Sequence, residues 1–274
     1  MSENCSAGHK SEYRRIGSRD IVAISFNREK PMQDKRYPFL EVKNIVKKFG
    51  GLVASNHVNL QIGKGEIRGL IGPNGSGKTT LINVITGIYE PEDGSIYFAG
   101  KRIDGLQSDV IASMCIMRTF QVARVFRDMT VLENMLIPAF CQGQSRKEAL
   151  DRAEELLDFA LLTRLKDTQA KSLSGGQNML LQIVRGFMHK NLQLYVMDEP
   201  FAGVHQSIKG IILKSIKMMN DEKSVTFLII SHEMPTVSTL CDKITVLAKG
   251  ELIAEGTMEE IANEPQVIDA YLGG

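Results

Sequence analysis

Cysteine is scarce in this chain. The four present, Cys5, Cys115, Cys141 and Cys241, are scattered and form no C-x-x-C pair. Neither a zinc site nor a disulfide framework is indicated, and a reducing cytosol suits such a sequence. An excess of charge is missing too: 33 basic residues stand against 32 acidic ones, which leaves no electrostatic footprint for nucleic acid. No apolar run in the sequence approaches the roughly 18 residues of a membrane-spanning helix, so any membrane association has to come through a partner. Internal repeats and low-complexity segments are absent. What remains is 274 residues, 43% of them apolar, enough for a large core in one or two domains.

Residues 1–38 differ from the rest. Lys10, Arg14, Arg15, Arg19, Arg28, Lys30, Lys35 and Arg36 face five acids there, with little periodicity. This composition predicts an extension outside the folded part, with a basic arm for a membrane surface as the alternative; Met32 is a candidate start. From Phe39 the pattern becomes β. Phe39–Val42 and Val58–Ile62 alternate apolar and polar residues, Pro91–Gly94 reads as a turn, and Ser95–Ile103 as a hairpin broken at Ala99–Lys101. Together these predict a small antiparallel sheet. Residues 122–190 read as helical, with a capping box at Ser145-Arg146-Lys147-Glu148 and an apolar face at Ala149, Ala153, Leu156, Leu157, Ala160 and Leu161. After 190 the β/α alternation returns, with buried-type strands at Leu194–Met197 and Val225–Ile230 and a helix over Ile208–Met219 between them. Ile244–Leu247 and Leu252–Ala254 flank a Lys249-Gly250 turn, and Thr257 caps a last helix.

The densest chemistry lies at Gly72-Pro73-Asn74-Gly75-Ser76-Gly77-Lys78-Thr79-Thr80, which fits G-x-x-x-x-G-K-[ST]. The apolar run Glu66–Ile71 before it reads as a strand, and Thr80–Thr86 after it as a helix stopped by Gly87. Glycines let main-chain N–H groups turn in around a phosphate, and the helix N-terminus adds its positive end. In this motif Lys78 would reach the β- and γ-phosphates of ATP, and the Thr79 hydroxyl would bind Mg²⁺.

A second cluster fits the first. The strand Leu194–Met197 runs into Asp198 and Glu199, and ligands of open α/β sheets bind at the carboxyl ends of strands. Asp198 is expected to hold Mg²⁺ directly or through water, and Glu199 to orient or deprotonate the attacking water. His232 follows the next strand and is expected beside the γ-phosphate. Ser174 and Gln177 in Leu173-Ser174-Gly175-Gly176-Gln177 form a capping-box pattern, and the glycine pair there offers an anion site.

Gly72–Thr80, the stretch around Gln121, Leu173–Gln177, Asp198-Glu199 and His232 follow one another as in the ATPase subunits of ABC transporters, and residues 39–274 resemble that family. The resemblance implies an α/β fold: a P-loop (RecA-like) ATPase domain with a small antiparallel β part and an α-helical subdomain at 122–190. It implies that Phe49 stacks on adenine and that Gln121 binds Mg²⁺ and senses a transmembrane permease. It also implies that two ATPase subunits sandwich two ATP molecules, each presenting Ser174 and Gly176 to nucleotide held by the other. A narrower resemblance rests on Phe49–Ala54, Arg118–Gln121, Val125–Asn134 and Val267–Gly273. These look like the first ATP-binding subunit of branched-chain amino acid importers, which work with permease subunits and, indirectly, a substrate-binding protein at the cytoplasmic face of the membrane.

The chain departs from the broad pattern at His205, where most relatives of this kind carry Asp, and at Asn178-Met179-Leu180, which lack the common basic residue. The expected activity is ATP hydrolysis coupled to import. Urea or short-amide importers, a soluble non-transport ABC ATPase, and a nucleotide-binding scaffold without turnover are the alternatives. The last is disfavoured by intact Lys78, Glu199 and His232.

Overall fold

The computed structural model describes residues 38–272. The expectations for the N-terminal extension therefore lie almost wholly outside the described residues, as do the last two glycines.

An antiparallel sheet opens the fold. Its order is β2-β1-β4-β5, from β1 (Leu40–Phe49), β2 (Leu52–Ile62), β4 (Asp93–Phe98) and β5 (Lys101–Arg102). The strands are longer than alternation alone suggests, because β1 contains register shifts between Val42 and Ile45 and again near Lys47. Such bulges break the period-2 pattern that a sequence reading follows. A second sheet, β10-β9-β3-β8-β7-β6, is parallel except for its β9–β10 hairpin. It comprises β3 (Ile67–Ile71), β6 (Ile116–Arg118), β7 (Leu194–Asp198), β8 (Thr226–Ile230), β9 (Lys243–Ala248) and β10 (Glu251–Gly256).

Strands β3, β7 and β8 are buried along their whole length, which explains why their sequences are apolar on both faces apart from Arg68, Asp198 and Thr226. Their side chains still sort by period two. Leu194, Val196, Leu228 and Ile230 join α1 (Lys78–Ile85) and the inner face of the antiparallel sheet in one core. Tyr195, Met197, Phe227 and Ile229 face the other way, into a core shared with α3 (Val131–Cys141), α4 (Arg146–Phe159), α5 (Gly175–Gly186) and α6 (Gln206–Lys223). Arg68 ties the sheets together from inside. Fully buried, it donates to Glu66 Oε1 at 2.6 Å and to Gln61 O at 3.0 Å, and pairs with Glu255 Oε2 at 2.6 Å.

The stretch 122–190 is helical only in part. Residues 122–129 are irregular, and α3 begins at Val131 behind a capping box of Thr130 and Glu133. Two buried side chains hold the irregular piece. Asn134 accepts from Phe126 N at 2.9 Å and donates to Phe126 O at 3.0 Å, while Gln182 accepts from Arg124 N at 2.8 Å and donates to Phe120 O at 3.1 Å. Three elements lie outside the sequence expectations: the short α2 (Ser108–Ser113), the edge strand β6 and the short helix that follows β8. After α7 (Met234–Leu240), the chain ends in two helices rather than one, α8 (Met258–Ala262) and α9 (Pro265–Leu272).

Helix α5 approaches β7 closely. A Cβ at Gly186 would collide with the ring and hydroxyl of Tyr195, which hydrogen-bonds back to Ile183 O at 3.1 Å. Gly186→Ala is expected to lower stability in chemical denaturation by about 1–3 kcal/mol through overpacking. Gly210→Ala, where a Cβ in α6 meets open space, is expected to be neutral or to stabilise by up to about 1 kcal/mol.

Candidate active site

The site forms where β3, β7 and β8 end. Between β3 and α1 the chain turns through Gly72, Gly75 and Gly77, with φ of 149°, 76° and 99°. At Gly72 and Gly77 the close approach of other main chain excludes any side chain: a Cβ would meet Leu247 O of β9 or Ala54 O of β2. Gly77 also caps α1, and no side chain caps that helix. Its first-turn N–H groups thus remain available to an anion, which the helix dipole also favours. Lys78 Nζ donates to Gly72 O at 2.8 Å, Pro73 O at 2.9 Å and Ser76 Oγ at 3.3 Å. The ammonium is held at the mouth of the loop by neutral oxygens. Burial pushes its pKa down, against the opposing pull of Glu199 and Asp198.

A cleft of about 580 Å³ brings most of the expected residues together. Phe49, Asn74, Gly75, Ser76, Gly77, Lys78, Thr79, Thr80, Gln121, Asp198 and Glu199 all line it. Gly72 and Pro73 complete the loop through their bonds to Lys78. Asp198 is buried at the end of β7, where its N–H donates to Thr119 Oγ1 at 3.1 Å. Burial raises its pKa, and the Arg118 guanidinium 3.9 Å away works against that rise. Glu199 turns the chain with φ +49°, a left-handed conformation that costs a non-glycine residue of order 1 kcal/mol. His232 Nδ1 lies 2.9 Å from Glu199 Oε2. Glu199 Oε2 is buried, and the His232 imidazole is the polar group beside it.

Ser174, Gly175, Gly176 and Gln177 stand apart: none lines the cleft. They open α5 in the expected capping box, with Gln177 N donating to Ser174 Oγ at 3.2 Å and Ser174 N to Gln177 Oε1 at 2.9 Å. The box leaves the N–H groups of Gly175 and Gly176 without intrahelical partners. His205, the departure noted in sequence, is the N-cap of α6: its Nδ1 lies 2.9 Å from Ser207 Oγ and accepts from Ser207 N at 3.3 Å.

Some neighbours of the site were not singled out by sequence. Leu52, Val53, Ala54 and Lys249 also line the cleft. Arg118 donates to Asn83 Oδ1 at 2.7 Å and Thr86 Oγ1 at 3.0 Å of α1, so it joins that helix to Asp198. Neither Arg118 nor Leu52, Val53 and Lys249 carries a local sequence signal for a place at this site.

Strand, glycine-rich loop, helix and paired acids at the end of a strand one further along the sheet define a phosphate-loop ATPase. The model of the ABC transporter family matches residues 55–202, and a model described as branched-chain amino acid ATP-binding cassette transporter matches residues 251–274. A probable branched-chain amino acid transport ATP-binding protein LivG of Archaeoglobus fulgidus is 39% identical over 246 residues, which cover 85% of this chain and 95% of that one. The high-affinity LivG protein of Escherichia coli is 39% identical over 253 residues, covering 86% and 98%. Among solved structures, an ATP-binding cassette of an ABC transporter in its ADP conformation is 37% identical with a TM-score of 0.75, covering 86% of this chain and 99% of that one. A dimeric cassette in a post-hydrolysis state bound to ADP and Pi is 28% identical with a TM-score of 0.73, covering 80% and 98%. The chain belongs to the ATP-binding subunits of the ABC transporter family.

Replacing Gly77 by Ala tests the loop. The new methyl cannot fit against Ala54 O, and φ +99° is foreign to alanine. ATP affinity, measured by fluorescence titration, is expected to fall roughly tenfold or more, and the melting temperature to drop with it, because the clash is with main chain.

Proposed function

We propose that this chain hydrolyses ATP to power the import of branched-chain amino acids, as the first of two ATPase subunits on the cytoplasmic face of a membrane permease. The observation that carries the hydrolytic part is the convergence of Lys78, Asp198 and Glu199 on one cleft. The transported class rests on the matched C-terminal segment and the LivG relatives. Uptake of urea or short amides, and a soluble non-transport ATPase, are the readings it displaces. No helix of the described residues is long and apolar enough to cross a membrane, which agrees with attachment through the permease. A substrate-binding protein acts one step further away, and nucleic acid has no role in this reading.

Each site residue has one task. The N–H groups of Gly72–Thr80 and the Lys78 ammonium bind the β- and γ-phosphates, and binding exchanges neutral carbonyl partners of Lys78 for anionic oxygens. Phe49 carries adenine. Thr79, Gln121 and Asp198 would hold Mg²⁺, which neutralises charge on the phosphates. Those donors suit it: Mg²⁺ prefers one or two carboxylates plus phosphate oxygens to an all-protein cage, and no cluster of three acidic, His or Cys side chains is found among the described residues. Glu199 Oε2 accepts a hydrogen bond from the attacking water and aligns it in line with the γ-phosphate, and His232 steadies the same group. The Gln121 segment, pinned by Asn134 and Gln182, reports the state of the site to the permease.

Ser174–Gln177 complete the cleft of a second subunit. Their separation from the cleft of their own chain supports this reading, as does the free N–H pair at Gly175 and Gly176. The domain division follows the same line: residues 1–38 form an extension, 39–274 the ATPase domain, and 122–190 the subdomain that carries the signature.

Glu199→Gln is expected to bind ATP normally, to lower kcat roughly a hundredfold or more, and to accumulate as an ATP-bound dimer in size-exclusion chromatography. Turnover near the wild-type rate removes Glu199 from its role. Sharing is tested by mixing Lys78→Ala with Gly175→Asp, a position where a side chain meets open space. Each variant alone is expected to be inactive. The mixture regains hydrolysis, because one intact loop meets one intact signature; full activity of dilute, monomeric wild-type chain refutes the shared site.

A further inference from the structure

We propose that Tyr89 is a positioning residue for nucleotide recognition, a brace that fixes the Phe49 ring against which adenine stacks. The inference rests on the reading of Phe49 as the adenine platform. Phe49 ends β1 at a hairpin tip, followed by Gly50 at φ +58°. Its ring is 42% exposed, and a phenyl group so placed would otherwise lose orientation freedom on each binding event. The Tyr89 ring meets it edge to face, with centroids 5.1 Å apart and planes at 75°, the favoured geometry for an aromatic pair.

Lys47, two residues before Phe49, supports both rings. Its Nζ lies 5.4 Å from the Phe49 centroid and 6.0 Å from that of Tyr89, within the range of cation–π attraction. Two hydrogen bonds hold it there, to Glu90 O at 2.8 Å and Glu92 Oε1 at 2.7 Å. Glu92 Oε2 in turn accepts from Lys48 N at 2.8 Å. The cation is satisfied within the protein, so it serves the rings rather than a phosphate.

Tyr89 itself is delivered by the end of α1. Gly87 leaves the helix at φ +68°, and the N–H groups of Ile88 and Tyr89 both donate to Asn83 O, at 2.8 and 3.2 Å. The helix whose first turn faces the phosphates thereby sets, at its other end, the ring that orients the base platform. Base and triphosphate are registered to one rigid element.

The test measures dissociation constants by calorimetry on the full chain, for ATP and for inorganic tripolyphosphate, which lacks a base. Tyr89→Leu is expected to weaken ATP about threefold to tenfold, to leave tripolyphosphate unchanged, and to raise KM for ATP without changing kcat. Tyr89→Phe keeps the ring and retains wild-type affinity. Equal losses for ATP and tripolyphosphate in Tyr89→Leu overturn the proposal, because a general structural defect spares neither. Unchanged ATP affinity in Tyr89→Leu also overturns it, and so does a loss in Tyr89→Phe, which would assign the effect to the hydroxyl. Phe49→Ala separates the two readings. If it leaves ATP affinity intact, the platform itself falls; if it weakens ATP while Tyr89→Leu does not, only the brace falls.

Discussion

Main chain pressed against main chain at the phosphate loop is the constraint on which the rest of the structure depends. Gly72 lies against the carbonyl of Leu247 in β9, and Gly77 against that of Ala54 in β2. The loop is therefore wedged between the two sheets, and neither sheet can shift without moving it. Gly250 N donates to Ser76 O at 3.1 Å, and Asn56 N to Gly250 O at 2.8 Å, which closes a short circuit from β2 through the β9–β10 hairpin to the loop. Arg68 fastens the same three parts one layer deeper, with its charge matched by Glu66 and Glu255. A buried guanidinium with every partner in place defines how the layers sit more than it adds to stability.

Charge in the site is arranged so that no group is neutralised by a perfect partner before nucleotide arrives. Lys78 leans on carbonyls, Asp198 faces a guanidinium at the long limit of an ion pair, and Glu199 is buried beside an imidazole. Each of these is a small cost to the folded chain. The positive φ at Glu199 adds another. A ligand that brings anionic oxygens and a water relieves several of them at once, so binding free energy goes into assembling the reactive arrangement.

Local signals with a mechanism were legible in the sequence. The phosphate loop, the strand that ends at Asp198, the strand that ends two residues before His232, and the capping boxes at Ser145, Ser174 and Thr257 all stand where residue types and spacing place them. The hairpin around Lys249-Gly250 reads equally well. Strand β6 has three residues and α2 six, too short for any period to emerge. The capping box Thr130-Val131-Leu132-Glu133 was available as a start signal for α3, and would have shown that 122–129 is not helical. The far ends of β1 were hidden by bulges. The setting of Arg118 and Tyr89 was beyond reach for a different reason: each matters through a partner more than 30 residues or about 40 residues away in sequence, and only the folded chain supplies that partner.

The contact between Gly186 and Tyr195 has a mechanical consequence. Helix α5 presents Gly175 and Gly176 at its start, and β7 presents Asp198 and Glu199 at its end; the tyrosine hydroxyl, hydrogen-bonded to helix carbonyls, bolts the two elements together. In a pair of chains that share their sites, the two ends of this bolted unit belong to different nucleotides. A shift of α5 as one site closes is then felt at Glu199 of the other, along one stiff lever. Events at the two nucleotides would be coupled in time, so that the pair fires in concert or in alternation, never as two independent clocks.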